Sequence, residues 1–336
     1  VFLFIDPIMG LLCVPAEIYS MMREYLWMIF WGILAVFLYN FFASLLRSVG
    51  NSFLPLLFLG IAAVLNVVLD LVFVLVFNWG VAGAAGATVI AQYVSGIGIA
   101  IYTYVKMPEF RVAGSDMGMD RGVLREISQF SVLTCAQQSV MNFGILMVQG
   151  LVNSFGTAVM AAFAVAVKID TIAYMPVQDF GNAFSTFVAQ NYGAEKRDRI
   201  RTGTHWAVFW VVLFCLVIGG LVCLLAPRLM AAFVGGDAAE VIAIGTGYLR
   251  IEAAFYLGIG ILFLLYGYFR AVNRPAVSVV LTICSLGTRV LLAYTLSALP
   301  ALGVNGIWIA IPIGWFLADA TGILLWRREG KSAKTP

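Results

Sequence analysis

Asp70 is the residue from which chemistry can first be read. It is the only carboxylate in the apolar run from Leu59 to Gln92, and Asn66 precedes it by one helical turn. Residues four apart share one face of a helix. A charge near the centre of a bilayer costs roughly 2.5–3.5 kcal/mol on insertion scales, so it persists where it faces a cavity or a partner. Beyond Gly80-Val81-Ala82-Gly83, the next apolar run places Thr88 on a neighbouring helix. A carboxylate, an amide oxygen and a hydroxyl suit a proton or a small hard cation. Residue types do not separate Na⁺ from H⁺ here, and no other metal is expected. The alternative is that Asp70 caps or pins a helix interface.

A second set of polar groups lies further along. Gln138, Asn142, Gln149 and Asn153 fall within roughly 60° of one another on a helical projection. On the following helix Asp179, Asn182, Thr186 and Gln190 fall within about 80°. Amides facing lipid are costly, so both stripes are expected to face protein or water. They read either as the lining of a substrate cavity or as helix–helix hydrogen bonds, which are typically worth ~0.6 kcal/mol each. Lys168, Asp170, Glu252, Arg289 and Asp319 are further charges in apolar runs, with Arg289 expected to pair with Asp319 or Glu252.

The elements that carry these residues follow from composition. The 336 residues are 62% hydrophobic and 11% charged, with a mean hydropathy of +0.98. Such a chain is an all-α integral membrane protein, since runs of roughly 18 or more apolar residues mark transmembrane helices. Nine full spans are expected, at 25–47, 55–77, 81–105, 127–152, 158–190, 206–225, 248–269, 276–298 and 304–326, with a partial one at 1–14. Residues 194–204 read as a basic loop, and Pro176 as an interruption. Cys13, Cys135, Cys215, Cys223 and Cys284 have no metal-site spacing and read as small hydrophobes.

Positive charge sets the orientation. Alternate loops carry 15 of the 20 Lys and Arg residues, including the connector at 106–125 and the C-terminus. Both are therefore expected on the cytoplasmic side of a plasma membrane protein.

The chain also repeats itself. A shift of 223 residues lays Tyr25-Leu26 on Tyr248-Leu249, Arg47 on Arg270, and Gly80-Val81-x-Gly83 on Gly303-Val304-x-Gly306. Matching spans run in the same direction, which indicates a parallel repeat about an axis along the membrane normal. The expected organisation is an N-terminal lobe at 1–105, the connector at 106–125, and a six-helix C-terminal lobe at 126–336. The first half is shorter in front by about two helices with their loops. The chain starts at Val1 inside an apolar run, so an N-terminal truncation is expected, with twelve helices when intact and about ten here.

Taken together, Leu46-Arg47-Ser48-Val49-Gly50-Asn51, Leu65-Asn66-Val67-Val68-Leu69-Asp70, Trp79-Gly80-Val81-Ala82-Gly83 and Gln190-Asn191-Tyr192-Gly193-Ala194 resemble the multidrug and toxic-compound extrusion (MATE) family in order and spacing. The resemblance covers essentially the whole chain. It implies a two-lobe antiporter that exports organic, often cationic, compounds in exchange for Na⁺ or H⁺. It also implies an ion-coupling site in the N-terminal lobe at Asp70, Asn66, Thr88 and Tyr25, with a further aspartate on the missing first helix. The substrate cavity would involve Gln138, Asn142, Gln149, Asn153, Asp179 and Asn182.

Other classes are less well served by the residues. A lipid-linked glycan or lipid flippase of similar design would want a more cationic cavity, and only Lys168 and Arg289 are intramembrane cations. An embedded enzyme would need clustered His, Cys or paired carboxylates; this chain has one histidine, His205, and no catalytic residue is expected. A non-transporting membrane scaffold is the remaining alternative. No P-loop is visible, so no nucleotide is expected. The expected partners are small organic substrates and the lipid bilayer, without nucleic acid, and the expected state is a monomer without a cofactor other than the coupling ion.

Overall fold

Within hydrocarbon a backbone can satisfy its polar groups only internally, which long apolar runs achieve as helices. The computed structural model describes residues 5–11, 16–111, 118–234 and 238–332. Every regular element among them is helical: α1 (Ile5–Leu11), α2 (Ala16–Trp31), α3 (Ile33–Ser48), α4 (Phe53–Leu71), α5 (Gly80–Lys106), α6 (Arg121–Asn153), α7 (Thr157–Gly193), α8 (Arg197–Val234), α9 (Ala239–Ala254), α10 (Tyr256–Ala271), α11 (Pro275–Ser297) and α12 (Val304–Ser332). Seven are long and apolar enough to cross a membrane, and the number reaches nine when α2–α3 and α9–α10 each count as one bent span. The expected partial span at 1–14 is described only over α1, and residues 112–117 of the expected connector lie outside the described residues.

The chain divides into two compact units, Val1–Gly118 and Met119–Pro336. In the first, α5 is the central helix, packed by α2, α3 and α4. Its buried face is built from small residues, among them Gly83, Ala85, Ala87, Ala91, Ser95 and Gly96. Small residues allow membrane helices to approach closely. A Cβ at Gly96 would lie 2.6 Å from the Ala35 carbonyl oxygen. By contrast α4 buries only Leu54 and Pro55. In the second unit the core is aromatic: Phe163 stacks on Trp308 with centroids 5.3 Å apart, and Tyr248 meets both rings edge-on.

Three sequence expectations change in detail. The spans at 25–47 and 248–269 are each broken, with bends of 40° after Trp31 and 53° after Ala254. Hydropathy runs unbroken through both positions, so it carries no sign of the break. Pro176 does not interrupt α7, and the basic segment at 197–204 is the first two turns of α8 rather than loop.

The internal repeat is visible in local geometry. Moved by 223 residues, the bounds of α2 and α3 fall on those of α9 and α10. Gly50 (φ 86°) and Gly80 (φ 55°) correspond to Asn273 (φ 59°) and Gly303 (φ 47°), so the left-handed turns recur at equivalent places. The Arg47 Nε donates to the Ala43 carbonyl at 3.1 Å, and its counterpart Arg270 Nε donates to the Tyr266 carbonyl at 3.2 Å.

Candidate functional site

In the first unit α4 and α5 pack side by side. Asn66 Nδ2 donates to Thr88 Oγ1 at 3.3 Å. Thr88 Oγ1 donates in turn to the Ala84 carbonyl, one turn back along α5, at 3.1 Å. The Thr88 proton is thereby committed, while its lone pairs and the Asn66 amide oxygen remain acceptors. Asp70 sits one turn beyond Asn66 and is half-buried. Its Oδ1 is buried with no hydrogen-bond partner among the described residues. Buried polar atoms are normally bonded, so the unbonded Asp70 oxygen, one helical turn from the Asn66–Thr88 pair, is a candidate position for a positive charge.

The backbone changes character at this point. Immediately after Leu71, α4 passes into a π-helical turn over Val72–Val76. Single π turns inside α-helices recur at functional sites because they shift the side-chain register. This one is closed by Phe73, Phe77 and Trp79, whose centroids lie 4.9–5.9 Å apart. Asn78 follows at φ 54° and Gly80 at φ 55°. Asp70 thus stands where the regular helix gives way to the π turn and its cluster of three aromatic rings.

Tyr25 stands apart from this group. It lies on α2, is 39% exposed, and shares no hydrogen bond with Asp70, Asn66 or Thr88 among the described residues.

The two stripes of the second unit differ internally. Gln138, Asn142, Asn153, Asp179 and Asn182 are exposed, and Gln149 is half-buried. Gln149 Nε2 donates to Asn153 Oδ1 at 2.9 Å, so this pair satisfies itself at the end of α6. Asn182 Oδ1 accepts from Arg270 Nη2 at 3.2 Å, which ties α7 to α10. Gln138, Asn142 and Asp179 keep their polar groups at the surface of the unit.

Arg289 is not in an ion pair within 4.0 Å with either expected partner, whereas Arg23 and Asp6 form one at 2.9 Å. Sequence reasoning also missed two tyrosines. Asp170 Oδ1 accepts from the Tyr256 hydroxyl at 2.5 Å and Oδ2 from Tyr248 at 3.4 Å. The spacing of four among Tyr248, Glu252 and Tyr256 would have set both tyrosines beside Glu252, whereas their hydroxyls go to Asp170 of α7.

The MatE family model matches residues 1–72 and 131–295, which takes in α4 through Asp70 and most of the second unit. The chain belongs to the MATE family. A probable multidrug resistance protein of Bacillus subtilis, YpnP, is 29% identical over 329 residues, spanning 97% of this chain and 72% of its own length. A probable multidrug resistance protein NorM of Thermotoga maritima is 24% identical over 325 residues, spanning 95% of this chain and 69% of its own. Among solved structures, a MOP-superfamily transporter from Pyrococcus furiosus superposes with a TM-score of 0.94 at 23% identity, covering 100% of this chain and 75% of its own. That likeness establishes the fold. As a MATE protein the chain is a multi-pass membrane transporter of the multidrug efflux family, not an enzyme.

Proposed function

We propose that the chain works as a secondary antiporter that expels organic, often cationic, compounds by alternating access, driven by Na⁺ or H⁺ binding at Asp70. The observation that carries this reading is the buried, unbonded Oδ1 of Asp70 one turn from the Asn66–Thr88 hydrogen bond. An arriving cation or proton neutralises the carboxylate, with Asn66 Oδ1 and Thr88 Oγ1 as further oxygens for Na⁺. Neutralisation changes which lobe arrangement is favoured, and release on the other side restores the charge. Tyr25 is an auxiliary member that joins only if α2 moves.

The lobes are residues 1–105 and 126–336, joined at 106–125. The cavity is lined by Gln138, Asn142, Asp179 and Asn182, with Gln149 and Asn153 at its end. Met147, Met175 and Phe180, all exposed, give an adaptable apolar wall for varied substrates. A pyrophosphate-bearing lipid would need several free cations in that wall, whereas Arg289 Nε is buried and Arg270 is engaged by Asn182.

The test is efflux of an organic cation from vesicles under an imposed Na⁺ or H⁺ gradient, using the full-length protein. Asp70→Asn keeps the shape and removes the charge. It is expected to abolish ion-driven efflux with normal expression and membrane insertion. The gradient that drives the unmutated protein identifies the coupling ion. Transport by Asp70→Asn at the unmutated rate, with unchanged ion dependence, would make Asp70 structural.

A further inference from the structure

The second unit contains a buried ionisable cluster that the Asp70 site does not use. Glu252 lies in the last turn of α9, three residues before the 53° break reaches Phe255. It is 0% exposed, and neither carboxylate oxygen has a hydrogen-bond partner among the described residues. Asp170 of α7, 5% exposed, is within electrostatic reach of Glu252, and Arg289 of α11 is within reach of both.

The two acids are differently equipped. Asp170 accepts one tyrosine hydroxyl on each oxygen, the arrangement that stabilises an anion. Glu252 receives no donor. Two carboxylates against one guanidinium leave a single excess negative charge, in a setting where an uncompensated charge is costly. One proton on Glu252 makes the cluster neutral. Na⁺ is a poor substitute. It would need several oxygens, those of Asp170 are already engaged, and the permanently charged Arg289 repels it.

The neighbours facing Glu252 complete the account. Helix α7 brings Asp170 and Tyr174, α9 itself Tyr248, α10 Tyr256, and α11 Arg289. Helix α8 brings the Cys223 thiol, which is bonded to the Arg250 carbonyl. Asp319 of α12 lies against Gly258 and is not among the charged groups acting on Glu252 or Asp170. No second cation adjoins the cluster among these groups.

We propose that Asp170, Glu252 and Arg289 form a proton-binding site inside the second unit, with Glu252 as the residue that takes up and releases the proton. Uptake forms one O–H bond on a Glu252 oxygen and releases the rest of a hydronium ion as water. The site joins α7, α9, α10 and α11 across a helix break, so its charge state bears on how that break is held. Discontinuous helices are where transporters commonly place such groups. The inference does not depend on Asp70.

Infrared spectroscopy of the purified full-length protein tests it without transport, so its failure is distinct from failure of the antiport reading. The unmutated protein at neutral pH should show a protonated-carboxyl C=O band. That band should shift when glutamate carboxyls are ¹³C-labelled, since of the other glutamates whose side chains are described, Glu24, Glu109, Glu126, Glu195 and Glu240, all are exposed and ionise in water. Glu252→Gln should remove the label-sensitive glutamate component of the band, and Asp70→Asn should keep that component. A band that ignores glutamate labelling, or a glutamate component that survives in Glu252→Gln, would overturn the proposal. The labelling arm needs no variant, so it stands even if Glu252→Gln fails to fold.

Discussion

Two oxygens near a carboxylate do not weigh equally in folding and in ion binding. The Asn66–Thr88 hydrogen bond joins two membrane helices, and such bonds average ~0.6 kcal/mol. Thr88→Val keeps the shape and loses the oxygen, so its effect on stability should be small. Its effect on the ion should be larger, because losing a ligand worth about 1.4 kcal/mol weakens binding roughly tenfold. The half-saturating concentration of the coupling ion for efflux should rise for Thr88→Val and Asn66→Ala and remain near the unmutated value for Thr88→Ser. Equal values in all three would remove both residues from the site. This pair was legible in the sequence because the spacing of four puts Asn66 with Asp70, and a short Gly-rich turn makes α5 the next neighbour. Tyr25 was not legible in the same way. It came from resemblance alone, and nothing in local spacing says where a residue on α2 stands relative to α4. The hydroxyls on Asp170 were missed because tyrosines in an apolar run look like packing until the acid they serve is placed beside them.

Hydropathy identifies spans but not how they bend. The break at Gly32 is made by i−3 bonding, with Gly32 N–H on the Ile29 carbonyl at 2.8 Å, and by the Tyr93 hydroxyl, which donates to the Trp31 carbonyl at 3.0 Å. That partner lies 62 residues away, beyond the reach of any local pattern. Close packing is more readable, since small residues recur along α5. The consequence is testable at Gly96, where a side chain must displace the Ala35 carbonyl. Gly96→Leu should lower stability by ~1–3 kcal/mol through overpacking. Gly60 on α4 has nothing within 4 Å of a Cβ placed there, so Gly60→Leu should be close to neutral. Thermal unfolding in detergent compares the two, and equal midpoints would contradict the packing of α3 on α5. The early start of α8 has a simple cause. A helix that leaves the hydrocarbon need not stop there, and its charged first turns are content in water.

At the scale of the whole molecule, the repeat shows how the two units have diverged in chemistry while keeping their turns. The shift of 223 residues that carries Gly50 to Asn273 also carries Asn66 to Arg289 and Gly96 to Asp319. Where the first unit has an amide beside an unbonded carboxylate, the second has a built-in cation near Asp170 and Glu252. A fixed guanidinium at the position equivalent to Asn66 makes the two units chemically unequal. The same scale holds the question of direction. Helix α8 has 38 residues, about 57 Å at 1.5 Å per residue, against a hydrocarbon core of ≈ 30 Å. Its basic start, with Arg197, Arg199 and Arg201 exposed, is followed by Trp206, Phe209 and Trp210, exposed and packed edge-to-face. Aromatic rings settle at the membrane interface and Lys and Arg favour the cytoplasmic loops, so this end of α8 is expected on the cytoplasmic side. The connector at 106–125 and the C-terminus share its charge pattern. A green fluorescent protein fused after Pro336 should therefore fluoresce, and alkaline phosphatase fused at the same place should be inactive. Active phosphatase there would invert the orientation, and with it the side from which the ion must reach Asp70.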